Sequence, residues 1–136
     1  MTILAIVLGA AVGAPLRYTV DRWVQGRTAD TSGTRNAGVA ADRSGHWRMV
    51  PWGLFTVNVT GSGIAGLVLA TTSGDMRLLL LSGFCGAFTT FSGFGWDASL
   101  LWSAARTQFW VTVIGMPVAC VTAFMAVWHL ASAAGR

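Results

Sequence analysis

Four stretches of this chain carry no Asp, Glu, Lys or Arg: Met1 to Leu16, Met49 to Gly74, Leu78 to Trp96 and Thr107 to Gly135. A helix needs about 20 mostly apolar residues to cross the hydrocarbon of a bilayer. The first run continues past Arg17 to Val20, and the third continues past Asp97. In lipid a backbone amide finds no water to bond, so a spanning segment is a helix or part of a closed barrel. Barrel strands alternate apolar and polar residues over about ten positions, and these runs do not. The chain is therefore expected to be an all-α integral membrane protein with four spans, at about residues 2–22, 50–72, 78–102 and 107–131.

Little else is left over. Only 10% of the 136 residues are charged, against about 25% in a soluble domain, and the mean hydropathy is +0.60. Gln25 to Arg48 is rich in Gly, Ala, Thr and Asp with scattered Arg, and reads as a solvated, poorly ordered loop. Spans two and three are joined by a short turn around Gly74-Asp75-Met76-Arg77. Residues 1–136 thus form a single membrane domain. All nine basic residues are arginine and all five acids are aspartate. The pI near 10.5 reflects arginines in loops beside apolar runs, which points to membrane topology and not to nucleic acid. Cys85 and Cys120 lie inside apolar runs and suggest neither a metal site nor a disulfide framework. No basic segment precedes the first apolar run, so a cleaved leader is not expected. No metal cluster, nucleophile–base pair or phosphate loop argues for an enzyme; His46 is in the loop and His129 ends span four.

Small residues four apart recur in every span: Gly9 and Gly13, Ser62 and Gly66, Ser82 and Gly86, Ala119 and Ala123. Such faces let helices approach closely in lipid. Four short helices enclose little space. A polar route is more easily built between subunits, so a dimer is expected.

Three polar features sit at membrane depth. Arg17 follows sixteen uncharged residues. It either ends the first span and snorkels to the interface or attracts an anion into it. Asn58 brings two N–H donors and an acceptor into the second span, as glue between helices or as a ligand for a dehydrated anion. Ser62, four residues on, shares its face. The third feature is GFCGAFTTFSGFGWD, Gly83 to Asp97. Its glycines each weaken a helix by roughly 1 kcal/mol relative to alanine. An interrupted helix exposes carbonyls that must be buried in protein or bind a cation. Phe88, Phe91 and Phe94 recur every three residues, either for packing or to turn positive ring edges toward an anion. Thr89, Thr90 and Ser92 add hydroxyls.

The segments GAAVGAPLRY, PWGLFTVNVTGS and GFCGAFTTFSGF, one per span and in this order, resemble the motifs of the Fluc (CrcB) family of fluoride channels. The resemblance covers the chain outside residues 25–48. It implies an antiparallel dimer with two fluoride pathways and a third helix interrupted in mid-membrane. It implies a central, structural Na+ held by main-chain carbonyls, which fall near Gly86 and Ala87. The fluoride pathway maps onto Asn58, Phe91 and Phe94, with Thr90, Ser92 and Arg17 beside it. Three departures stand out: Ala87 replaces the second glycine of a pair, Gly93 stands in place of a threonine, and Tyr18 is the sole tyrosine, so a fourth-span tyrosine is missing.

Passive fluoride export across the plasma membrane, relieving fluoride toxicity, is the function this implies. Hydrofluoric acid enters an acid-stressed cell neutral and dissociates inside, so a passive exit for the anion lowers its internal level. A four-span multidrug or cation exporter is a second reading. It wants a carboxylate within the membrane, yet the chain has no Glu, and Asp21 lies at the end of span one. A membrane scaffold without transport is a third.

Arginine counts bear on topology. Arg77 and Arg136 lie on the side of the termini, and Arg22, Arg27, Arg35, Arg43, Arg48 and Arg106 on the other. The positive-inside rule then sets both termini outside. The chain is either a dual-topology homodimer or pairs with a related, oppositely oriented subunit.

Overall fold

The structure is a computed structural model that describes residues 2–30 and 50–135. Among these all regular structure is helical, and four helices are long and apolar enough to cross a membrane. Helices α1 (Thr2–Asp30) and α2 (Trp52–Thr71) supply the first two. The third, Gly74–Ala104, is composite. It contains α3 (Gly74–Arg77), a π-helical segment (Leu78–Cys85), α4 (Gly86–Phe88) and, after two extended residues, α5 (Phe91–Ala104). The fourth runs through α6 (Arg106–Trp110), a second π-helical segment (Val111–Gly115) and α7 (Met116–Ala134).

Helix α1 runs past the expected end of its span, to Asp30. The guanidinium of Arg27 lies 3.8 Å from the ring centre of Trp23, one turn back, and Arg22 lies over Tyr18. Cation–π pairs four residues apart support a helix that has already left the hydrocarbon. Of the loop expected over Gln25 to Arg48, residues 31–48 lie outside the described residues, and with them Arg35, Arg43, His46 and Arg48.

Lipid tails are as apolar as leucine, so helices associate here through close packing. Helix α2 lies along α7, while α1 lies along the first π-helical segment and then α2. Glycines make the contacts. A methyl on Gly13 would sit 2.5 Å from the Phe84 carbonyl oxygen, and one on Gly83 would sit 2.7 Å from that of Ile6. Gly66 is pressed against the Phe124 carbonyl in the same way. The Ser82–Gly86 face differs: both residues are exposed, and a methyl on Gly86 meets nothing closer than 3.9 Å. At the turn between α2 and α3, Gly74 has φ +59°. Arg77 folds back there to donate from Nε to the Thr72 carbonyl at 2.8 Å and from Nη2 to that of Leu69 at 3.3 Å. This arginine satisfies the last carbonyls of α2 and complements the negative end of its dipole.

The third span is interrupted as expected, but not by glycine. Thr89 (φ −80°, ψ 160°) and Thr90 (φ −148°, ψ 123°) are extended, while Gly86 and Gly93 are helical. Among the described residues only Gly74 has positive φ. Threonine, branched at Cβ, fits extended backbone well. Its hydroxyl can also cap the helix that follows, and Thr90 Oγ1 accepts the Gly93 N–H at 3.3 Å. Two glycines of this stretch, Gly83 and Gly93, serve close packing instead: a methyl on Gly93 would sit 3.1 Å from both Leu54 and Thr90. The break also divides the phenylalanine stripe. Phe88 lies before it, buried and stacked on Phe84, whereas Phe91 and Phe94 follow it and pair with each other.

Candidate functional site

Asn58 and Thr90 hold the break. Asn58 is 8% exposed. Its Oδ1 accepts the Thr90 N–H at 2.8 Å, and its Nδ2 donates to the Thr90 carbonyl at 3.3 Å. The amide thus pairs with the backbone of one extended residue as a neighbouring strand would. Nδ2 also donates to the Met116 sulfur, at 3.3 Å, from α7. One side chain ties three spans together. The two roles open for Asn58 in the sequence, glue and ligand, are compatible, because the thioether is a weak acceptor that a stronger one can replace.

The clamp has a consequence for the backbone. In an unbroken helix Gly86 and Ala87 would give their carbonyls to the amides of Thr90 and Phe91. The Thr90 amide goes to Asn58 instead, and the extended pair parts the ladder. Gly86 is exposed and Ala87 half-buried. Hard, neutral carbonyl oxygens at a broken helix suit an alkali cation. Among the described residues no three His, Cys, Asp or Glu side chains gather into a metal-binding group.

On the other side of Thr90 a cleft of about 370 Å³ opens. Arg17, Asp21 and Gln25 line it from α1, Leu54 and Val57 from α2, and Ser92, Trp96 and Asp97 from α5. Three residues singled out in the sequence, Arg17, Thr90 and Ser92, meet here. The Thr90 and Ser92 hydroxyls are 3.2 Å apart. Thr90 Oγ1 also accepts from Gly93, and either hydroxyl of the pair can donate to the other, which leaves one hydroxyl hydrogen of the pair to donate elsewhere. Asn58 lies behind Thr90 and does not line the cleft.

Phe91 and Phe94 do not line it either. Their rings pair at 5.7 Å with an interplanar angle of 38°. Phe91 is 85% exposed, an unusual setting for a phenylalanine at the start of a helix. It stands on the outside of the single chain, as the Ser82–Gly86 face does.

The sequence reading did not assign Asp21 and Asp97 to the site. The signal for Asp97 was present: it lies four residues after Gly93 in a helix that goes on to Ala104. An ionisable residue within a span is a site candidate by default. For Asp21 the signal was its distance of four residues from Arg17 on one helix.

Comparison with known proteins supplies the context for this geometry. Residues 4–130 match the family described as CrcB-like protein, Camphor Resistance (CrcB). The chain is 38% identical over 126 residues to the fluoride-specific ion channel FluC of Chloroflexus aurantiacus, covering 88% of this chain and 82% of that one. It is 34% identical over 134 residues to the FluC of Rhizobium leguminosarum bv. trifolii, covering 91% and 93%. The FluC of Acidobacterium capsulatum is also 34% identical over 134 residues, covering 94% and 91%.

Proposed function

This chain belongs to the CrcB family, and we propose on that premise that it is a fluoride-selective channel of the plasma membrane. The observation that carries the reading is the Asn58–Thr90 clamp in mid-span, which places hydroxyl and amide donors at a helix break beside Arg17. Fluoride is small and strongly hydrated, and it leaves water only for several good donors. Arg17 brings a positive charge to the lining of the cleft. The Thr90 and Ser92 hydroxyls offer the first donors. The Nδ2 hydrogen that Asn58 spends on the Met116 sulfur is the next, since a fluoride ion accepts far better than a thioether. Ring edges of Phe91 and Phe94 carry positive charge and continue the path.

The working unit is an antiparallel dimer. In the single chain Phe91, Ser82 and Gly86 are uncovered, and a second subunit across this face completes the wall of each pathway. The carbonyls of Gly86 and Ala87 would hold a structural Na+, which would supply a fixed positive charge. The partner is a second copy of this chain or a related subunit of opposite orientation. Asp21 and Asp97 oppose an anion in the cleft, and Arg17 offsets part of their charge.

A fluoride-sensitive bacterium grown in acid medium tests the reading. Expression of this chain is expected to restore growth in fluoride, and expression of Asn58→Ala is not. Equal inhibition with and without the chain in the membrane contradicts it.

A further inference from the structure

We propose that the turn between the third and fourth spans is a docking site for an anionic phospholipid, with the lipid phosphate on Arg106 and its acyl chains along the indoles of Trp102 and Trp110. The proposal is independent of the fluoride reading. The turn is short: Ala105 (φ −155°, ψ 83°) alone separates α5 from α6. It joins two membrane spans, so it lies where hydrocarbon gives way to headgroups. So tight a connection sets the last turn of α5 against the first of α6. Phe109 meets the Trp102 ring at 5.0 Å and 73°, and the Trp110 ring at 5.1 Å and 76°. Phe109 is half-buried between the two indoles, which are 47% and 52% exposed. Tryptophan suits this depth, since its body is apolar and its N–H is not.

The Arg106 guanidinium lies over Trp102, 4.0 Å from the ring centre. A guanidinium held by its face keeps its N–H groups, which lie in its plane, for a partner further out. That fork matches two oxygens of a phosphate. Arg106 is exposed, and no carboxylate among the described residues pairs with it. Asp21 and Asp97 line the cleft instead, and Arg106 does not. The same device recurs in α1, where Arg27 lies over Trp23 and Arg22 over Tyr18. Each pair sets an arginine four residues after an aromatic ring. The chain crosses the membrane once to reach the end of α1 and three times to reach the α5–α6 turn, so all three pairs share one face. At the turn on the other face, Arg77 spends its donors on the α2 carbonyls. A basic edge faced with aromatic rings at headgroup depth fits a lipid of net negative charge. A zwitterionic lipid carries its own cation beside the phosphate and gains less from Arg106.

The test uses the purified chain in mild detergent, titrated with phosphatidylglycerol or with phosphatidylcholine. Native mass spectrometry counts bound lipid, and melting reads its effect. Phosphatidylglycerol is expected to be retained more tightly by wild type and to raise its melting temperature further. Arg106→Gln is expected to bind phosphatidylglycerol about tenfold more weakly, the effect of one hydrogen bond to a charged group. Arg106→Lys, which keeps the charge but not the fork, is expected to fall between. The wild-type comparison stands without any variant: equal retention of the two lipids overturns the proposal. So does an Arg106→Gln protein that still prefers phosphatidylglycerol as wild type does. If inorganic phosphate reproduces the rise in melting temperature, the turn binds a free anion and not a lipid. If Arg106→Gln changes the oligomeric state and leaves lipid binding as it was, the turn is covered by a second subunit. Either result overturns the proposal. None of these readouts involves fluoride, so the failure of one reading does not carry the other with it.

Discussion

Asn58→Ala is expected to abolish fluoride flux and to lower the stability of the folded chain by about 2–4 kcal/mol. The estimate follows from the clamp: the Thr90 N–H and C=O both lose their partner, and a buried backbone group left unsatisfied costs about 1–3 kcal/mol. Where the Thr90 amide returns to the Gly86 carbonyl, the break closes into helix and the stability cost falls to the lower end of that range. Flux and cation binding then fail together. Melting in detergent, with and without Na+, reads the structural part, and liposome flux per folded protein reads the rest. Asn58→Asp adds a carboxylate against the Thr90 carbonyl and repels the anion, so its flux is expected to be no better. An Asn58→Ala protein with wild-type melting temperature and flux removes the clamp from the account.

The second large effect concerns the exposed ring pair. Phe91→Ile is expected to cut fluoride flux on the order of tenfold, equivalent to roughly 1.4 kcal/mol on the barrier, while leaving the melting temperature close to wild type. Phe91 is 85% exposed in the single chain, so the change leaves no cavity in its own core. Phe94→Ile is expected to act in the same direction with a larger stability cost, because Phe94 is half-buried and touches Phe91. Both substitutions keep apolar bulk and remove the ring edge. Normal flux in both single variants would return the rings to a packing role.

These two sites show what a sequence can disclose about such a chain. The spans are legible because the bilayer imposes length and apolarity on every residue of a run. The interruption of the third span is legible as a composition that no plain span requires. Its cause was not. The density of glycine around Gly83 to Gly95 suggests that glycine breaks the helix, yet the break falls on Thr89 and Thr90, neither a glycine. What decides its position is a side chain from another helix, Asn58, and no local rule contains that contact. The even spacing of Phe88, Phe91 and Phe94 misleads for the same reason, since periodicity holds only along an unbroken helix. Arg17, Thr90 and Ser92 are each legible as polar residues in apolar runs, but that they meet in one cleft is not. The cleft acids Asp21 and Asp97 were overlooked because each sits near the end of an expected span, where a charge reads as a boundary. Thr112, whose buried hydroxyl has no hydrogen-bond partner, lies in a π turn that the sequence does not announce.

Ion efflux from liposomes reconstituted with the purified chain tests the central claim most directly. Vesicles are loaded with fluoride or chloride, a potassium ionophore carries the counter-charge, and an ion-selective electrode follows release. Rapid fluoride release with chloride retained is the expected result, and it is expected to vanish in Asn58→Ala. Vesicles that hold folded protein and retain their fluoride, or that release chloride as readily, contradict the account.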